Sequence, residues 1–355
     1  MLRRLGLLAL LAIAALGAGA GWLDSQINRP YVGRRQDIVY VDIPHGTSRW
    51  DIAGILRQNK IIRSRLTFTL FSGWHFRHPL QAGEYLFERS LNSREVFWKI
   101  AHGQIFVHIV TVPEGWTVYD IAADLERQNI CSREDFLAAA RDTSLIADLT
   151  PHATSLEGFL FPSTYEFTRH TSCAQIAQRM VEHFRTVWDS LGASPSSAHP
   201  GDLTTAEVVV LASLVERETP VAEERPVVAS VFYNRLRRGE PLQCDPTVHY
   251  ALQMEGRPPK DVRPADLLVQ SPYNTYLHRG LPPGPIANPG AASLKAALEP
   301  ATTDYYYFVA NDRGGHTFSR TLAEHNRNVA RLRQALANDA QPQDPPGRSK
   351  IRGRP

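Results

Sequence analysis

The residues best placed to do chemistry are acids at the end of an apolar run. Thr204 and Glu207 form a Thr-x-x-Glu helix start. The run Val208-Val209-Val210-Leu211-Ala212-Ser213-Leu214-Val215 follows, then Glu216-Arg217-Glu218-Thr219, and Pro220 ends or kinks the helix. Leu211, Leu214 and Val215 stand at i, i+3 and i+4, and the next member of that stripe, i+7, is Glu218. Its carboxyl leaves from the apolar face near the negative end of the helix dipole, and both features disfavour ionisation. A carboxyl that keeps its proton near neutral pH can serve as a general acid. Glu207 reads as a cap, and Glu216 and Arg217 are expected to face solvent. The competing reading makes Glu218 a structural partner of a buried arginine, and this helix alone does not decide between them.

The loops that would build a cleft follow in sequence. A second helix ends at Leu236-Arg237-Arg238 with Gly239 as its cap. Next comes Pro241-Leu242-Gln243-Cys244-Asp245-Pro246-Thr247, where Asp245-Pro246 suits a turn or helix start. Ser271-Pro272-Tyr273-Asn274-Thr275-Tyr276 and the proline-rich stretch 280–290 complete the set. Prolines lower the ordering cost of loops that must hold groups in fixed geometry. Hydroxyl and amide side chains suit a neutral sugar, and aromatic faces suit its C–H groups. The candidate sugar-binding residues are Glu157, Tyr165, Asn234, Gln243, Asp245, Thr247, Ser271, Tyr273, Asn274, Thr275 and Tyr276. There is no P-loop and no GxGxxG, and His316 and His325 lack HExxH spacing. No GxSxG elbow suggests a peptidase. No cofactor and no metal are expected.

Composition sets the context. With 355 residues the chain is long enough for two or three domains, and 43% hydrophobic residues allow real cores. Thirty-nine basic against 36 acidic residues give a formal charge of +3, so nucleic acid is not an expected partner. Arg3 and Arg4 precede an uncharged apolar run over residues 5–22. Such a run can span a bilayer with the arginines inside and the remainder outside. A cleaved signal peptide is the alternative, since Ala18-Gly19-Ala20 fits a cleavage site. Either way, residues from 24 onward are exported. Cys131, Cys173 and Cys244 form no CxxC pair. Cys131 and Cys173 could form a disulfide in an exported chain, or all three could be buried thiols.

One repeat organises the first half. Ile43-Pro44-His45-Gly46 leads into Asp51-Ile52-Ala53 and Leu56, and 69 positions later Val112-Pro113-Glu114-Gly115 leads into Asp120-Ile121-Ala122 and Leu125. Each copy reads as strand, turn and amphipathic helix, with strands expected at 38–41 and 107–110. A closing strand at 82–87 would complete a small α+β module over 36–103. Its strand–turn–helix opening resembles LysM-like modules, which bind N-acetylglucosamine-containing glycans. A stabilising module that binds nothing would look the same. Residues 132–190 read as helical around an apolar aromatic segment at 156–165. Residues 190–201 read as a loop, 305–310 as a core strand, and 314–318 as a turn with the next strand. The polar tail 338–355 is expected to be disordered.

Taken in order, segments 156–165, 211–219, 231–236, 241–250, 271–276, 280–290, 305–310 and 314–326 resemble the YceG-like family of endolytic lytic transglycosylases. The likeness extends over 36–335 and includes the N-terminal anchor. It implies an α+β protein with a transmembrane helix in residues 1–23, the LysM-like module, and a catalytic domain at 104–335 carrying a helix-borne glutamate. It implies a single-pass inner-membrane protein whose periplasmic part cuts nascent peptidoglycan strands between N-acetylmuramic acid and N-acetylglucosamine. It also suggests cooperation with glycan-polymerising enzymes. The family's catalytic glutamate falls in Leu-Val-Glu-Arg-Glu-Thr, and its Glu-Thr pair is similar to the Glu-Ser of other lytic transglycosylases, which points to Glu218. Cys244 departs from the serine or threonine expected there. A hydrolytic muramidase or a non-catalytic glycan-binding scaffold would use the same cleft.

Overall fold

The computed structural model describes residues 2–31, 38–193 and 199–339. These divide into two compact units. One comprises Met1–Val110 with Tyr165–Thr171, the other Thr111–Thr164 with Ser172–Pro355.

The first unit opens with α1 (Leu2–Asn28). Among the described residues no helix is long and apolar enough to cross a membrane. Arg3 and Arg4, expected to set the orientation of an anchor, have side chains outside the described residues. The last turn of α1 inserts Ile27 into the unit's core and packs Leu23 against it. Strand β1 (Val39–Ile43) then leads to α2 (Arg49–Gln58), α3 (Arg65–Trp74) and strand β2 (Gly83–Phe87). β1 and β2 pair antiparallel, from Val39 opposite Phe87 to Ile43 opposite Gly83. Alternation puts Val41 and Ile43 inside and leaves Tyr40 out. Helix α4 (Ser93–Ala101), started by an Asn92–Glu95 capping box, adds Val96, Phe97 and Ile100 to the core with Phe68 and Phe71 of α3. Truncating one of these buried phenylalanines to alanine would cost about 3–5 kcal/mol. A second two-stranded sheet joins β3 (His108–Thr111) to β4 (Thr164–Phe167). Glu84, buried on β2, accepts from His108 Nε2 at 2.9 Å and Arg169 Nη1 at 3.0 Å, so its charge is paired.

The two copies of the sequence repeat share their local backbone. Gly46 and Gly115 both take φ +78° after the Pro-x dipeptide, a left-handed turn that favours glycine. Ser48 and Thr117 cap the following helices by accepting from Asp51 and Asp120 N–H. Lys60 and Asn129 end those helices at φ +56° and +55°. The second copy supplies α5 (Val118–Arg127) of the second unit.

Helix α6 (Arg133–Ala139) and α7 (Cys173–Ser190) follow in the second unit. The reading of 132–190 as helical needs correction at β4, which lies between them. Its alternating Tyr165 and Phe167 are buried while Thr164 and Glu166 are exposed. Cys131 and Cys173 are disulfide-bonded with Cα atoms 5.8 Å apart, and Cys244 is a buried free thiol. Residues 194–198 of the loop expected at 190–201 lie outside the described residues.

At the centre runs α8 (Thr205–Glu218), with Thr204 and Glu207 forming the capping box. Every residue from Val208 to Val215 is buried, so this helix is apolar on all sides rather than amphipathic. Helices α9 (Arg225–Arg238), α10 (Asp245–Met254) and α11 (Ala291–Leu298) pack around it. Gly239 caps α9 in the left-handed conformation. The hairpin β5 (Tyr307–Ala310) and β6 (His316–Ser319) precedes α12 (Leu322–Asp339). That helix carries Asn338, where the tail was expected to begin; residues 340–355 lie outside the described residues.

Candidate active site

Glu218 is the last residue of α8, and it lines a cleft of about 490 Å³. Around it stand Arg235 of α9, Gln243 and Asp245 at the start of α10, Tyr276, Tyr307 and Phe308 of β5, His316 of β6, and His325 of α12. Burial pushes the Glu218 carboxyl above its usual range, and the Asp245 charge adds to the rise. The Cys244 thiol, hydrogen-bonded to Glu218, opposes this, as do the more distant His316 and Arg235. Desolvation dominates, so the protonated form is favoured.

Arg235 does not neutralise Glu218 directly. Its guanidinium donates to the carbonyls of Tyr306 at 2.6 Å, Pro241 at 3.1 Å and Leu242 at 2.8 Å. It thereby clamps the 241–242 loop to the start of the hairpin. Thr219 closes α8, its hydroxyl accepting from Val221 N–H at 3.1 Å. Glu224 accepts from His316 twice, from the backbone at 2.8 Å and from ring Nδ1 at 2.7 Å. Although burial raises the Glu224 carboxyl, these bonds hold it below the usual range. They fix the His316 proton on Nδ1 and leave Nε2 without that partner.

The other acid of the pair behaves differently from expectation. Glu216 does not face solvent: its side chain is only 6% exposed and lies 3.2 Å from Arg225 Nη2. It also accepts from Gly290 N–H at 3.0 Å. Because α8 is buried on all sides from Val208 to Val215, leaving the Leu211–Leu214–Val215 stripe does not by itself bring a side chain to water. The buried arginine considered for Glu218 thus serves Glu216. Arg217 is exposed and donates to Gly115 O at 3.2 Å.

Of the candidate sugar-binding residues, Gln243, Asp245 and Tyr276 stand with Glu218. The Tyr276 hydroxyl donates to Asp245. Gln243 is exposed at φ +51°, with its N–H donating to Thr275 O at 3.2 Å. Several others are turned inward. Thr247 and Thr275 are buried, 3.0 Å apart, and hold the Cys244 turn through Thr247 Oγ1 to Cys244 O at 2.7 Å and Cys244 N to Thr275 Oγ1 at 3.0 Å. Asn274 is buried and donates to Leu267 O and Val269 O, both at 2.9 Å. Ser271 accepts from Tyr273 N–H at 3.3 Å. Asn234 donates to Thr303 O at 3.0 Å and Tyr305 O at 2.8 Å. These five build the walls from behind. Tyr165 is buried in the first unit, stacked on Phe167.

Glu157 and Tyr273 line a different and larger cavity of about 780 Å³. Glu157 is buried and accepts from Val118 N–H at 2.9 Å, Asn288 Nδ2 at 2.9 Å and the Tyr250 hydroxyl at 3.1 Å. Burial raises its carboxyl to about 8. Its oxygens are committed to internal donors, which suits a structural acid at the start of α5. Asn288, which sequence reasoning missed, also accepts from Gly158 and Leu160 N–H at 2.9 Å each.

Arg235, His316, Tyr307 and His325 were missed as cleft residues. Neither spacing nor periodicity in one sequence brings a hairpin beside the end of α8, so His316 and His325 carry no local signal of their place in the cleft.

A carboxyl whose burial favours its protonated form, at the edge of a cleft lined by amide, phenol and imidazole groups, is the equipment of an acid–base catalyst. The YceG-like family model matches residues 41–331, and the chain belongs to that family. It is similar to an endolytic murein transglycosylase of Bacillus subtilis strain 168, 34% identical over 325 residues, covering 87% of this chain and 89% of the relative. An endolytic murein transglycosylase of Streptococcus pneumoniae serotype 2 is 27% identical, covering 91% of this chain and 64% of that protein. The crystal structure of a yceG-like protein from Listeria monocytogenes superposes with a TM-score of 0.52 at 33% identity, covering 82% of this chain and 99% of that one.

Proposed function

We propose that this protein is an endolytic peptidoglycan transglycosylase with Glu218 as its catalytic acid and base. The observation that carries the reading is the carboxyl of Glu218, raised by burial and opening on the cleft, while Glu216 beside it is neutralised by Arg225. Glu218 donates its proton to the glycosidic oxygen between N-acetylmuramic acid and N-acetylglucosamine. The carboxylate then takes the proton of the muramic acid C6 hydroxyl, whose oxygen attacks C1 and closes a 1,6-anhydro ring. The nucleophile is intramolecular, so positioning supplies much of the rate and one carboxyl serves both steps. Gln243 and Tyr276 hold the sugars, and Asp245 positions Tyr276.

The catalytic region is 104–335, and 36–103 is a LysM-like module whose strand–helix–helix–strand order supports glycan contact. Residues 5–22 of α1 anchor the chain in the inner membrane, with the enzyme in the periplasm. There it ends glycan strands as polymerising enzymes extend them.

Asp245 in the same cleft favours a second reading, hydrolysis, in which it would activate water opposite Glu218. Mass spectrometry of products from uncrosslinked glycan strands separates the two. Anhydromuramic ends from wild type and none from Glu218→Gln are expected. Reducing ends would establish a hydrolase, and equal activity in Glu218→Gln would remove that residue from the chemistry.

A further inference from the structure

Helix α3 is amphipathic, but its outer face is not polar. Phe68 and Phe71 enter the core of the first unit. On the opposite side Leu66, Leu70 and Trp74 follow at i, i+4 and i+8, and Phe76, also exposed, comes two residues past the helix end. Trp74 is 86% exposed and Phe76 70%. A contiguous apolar stripe of this kind marks an interaction surface.

The stretch of chain that carries it is basic, with Asp51 ahead of it paired to Arg65 and Asp24 of α1 paired to Arg94. From residue 52 to residue 83 the chain has no aspartate or glutamate, whereas it has Arg57, Lys60, Arg63, Arg65 and Arg77. All but Arg65 are exposed, and Arg65 is held over the Trp50 ring and against Asp51. A tryptophan-bearing apolar face on a stretch of chain rich in arginine and lysine is the composition of a segment lying in the headgroup layer of an anionic membrane. A glycan site would need hydroxyl and amide groups, which the stripe lacks.

Continuity with α1 identifies the occupant further. Leu10, Leu11, Ile13, Leu16 and Trp22 of α1 are exposed, and five residues after Trp22 the same helix buries Ile27 in the core from which α3 projects. Five residues of helix rise about 7.5 Å, comparable to the depth of a headgroup layer. We propose that the Leu66–Leu70–Trp74–Phe76 stripe is a second membrane contact, seated in an anionic lipid surface next to α1. This inference rests on the reading of α1 as the anchor.

The test uses the full chain in nanodiscs of phosphatidylethanolamine and phosphatidylglycerol, with plain or brominated acyl chains. The emission of one tryptophan is the difference between wild type and its phenylalanine variant, Trp74→Phe or Trp22→Phe. Brominated lipid is expected to cut the Trp74 share at least twofold and to quench Trp22 as well. Replacing the anionic lipid with phosphatidylcholine, or introducing Arg63→Gln with Arg77→Gln, should restore Trp74 emission and leave Trp22 quenched. Quenched Trp22 with unquenched Trp74 in the anionic discs would overturn the second contact while sparing the anchor. If both stay unquenched, the anchor reading fails and the proposal with it. Trp74 shielded from aqueous acrylamide yet unaffected by brominated lipid would assign the stripe to a protein partner and refute the lipid assignment.

Discussion

Replacing Glu157 with glutamine should flatten a pH-dependent loss of stability. Glu157 is 2% exposed, and burial raises its carboxyl from 4.5 to about 8. The unfolded chain releases this proton near the lower value and the folded chain near the higher one. The stabilisation is therefore complete below about pH 4.5 and is lost progressively as pH rises towards 8. At about 1.4 kcal/mol per pH unit, the whole interval amounts to about 5 kcal/mol. Glutamine keeps the shape of the protonated acid, with an oxygen for Val118 N–H and an amide for the Tyr250 oxygen. Urea unfolding of both forms at pH 5, 7 and 9 measures the effect. The two should be close at pH 5, and Glu157→Gln should gain several kcal/mol on the wild type by pH 9. Parallel stability profiles would refute the buried, protonated state of Glu157. A variant weaker at every pH would mean that the carboxylate itself holds Val118 and Asn288.

Three further outcomes follow from the same geometry. Glu216→Gln leaves the buried Arg225 with only the more exposed Glu114, 3.6 Å away, and should destabilise the protein by up to about 3 kcal/mol, read as a lower unfolding midpoint, with catalysis kept in the folded fraction. Cys244→Ala removes a donor that favours the Glu218 carboxylate, so its carboxyl rises further and the alkaline limb of the activity profile should move to higher pH. Cys244→Ser, which keeps a donor, should leave the limb in place. Gln243→Gly relieves a left-handed non-glycine residue and should stabilise the fold by about 1 kcal/mol, while the lost side chain lowers kcat/KM; unchanged kinetics would make Gln243 scaffold only.

The parts of the fold legible in the sequence are those fixed by neighbours along the chain. The strand–turn–helix repeat is written in Gly46 and Gly115 and in the caps Ser48 and Thr117, which need only local contacts. The Thr204–Glu207 box and Gly239 are of the same kind. Glu218 was legible for a weaker reason than its outcome suggests. The stripe argument assumes one buried face, yet α8 is buried on every face from Val208 to Val215, so position alone does not separate Glu218 from Glu216. Their partners do: Arg225 lies beyond the turn that ends α8, where helical periodicity no longer applies, and Gly290 is 74 residues from Glu216. The loop residues show a similar limit. Asn274, Thr247 and Thr275 have the groups a sugar needs, but buried loop backbone needs the same groups, and only burial reveals which demand is met.

The chain's route through the two units has a consequence for how the molecule is made. It leaves the first unit at Val110 and returns only for Tyr165–Thr171, so β4 is produced more than fifty residues after its partner β3. As the chain emerges N-terminus first, β3 must wait with an open edge until that segment arrives. The returning segment lies inside the loop closed by Cys131 and Cys173, 42 residues apart, a crosslink that lowers the disorder of the unfolded loop by about 4 kcal/mol. Oxidation therefore shortens the search β4 must make for its waiting edge. Maturation of the first unit depends on a bond that belongs wholly to the second, and reducing conditions during synthesis should expose β3 to pairing with other chains.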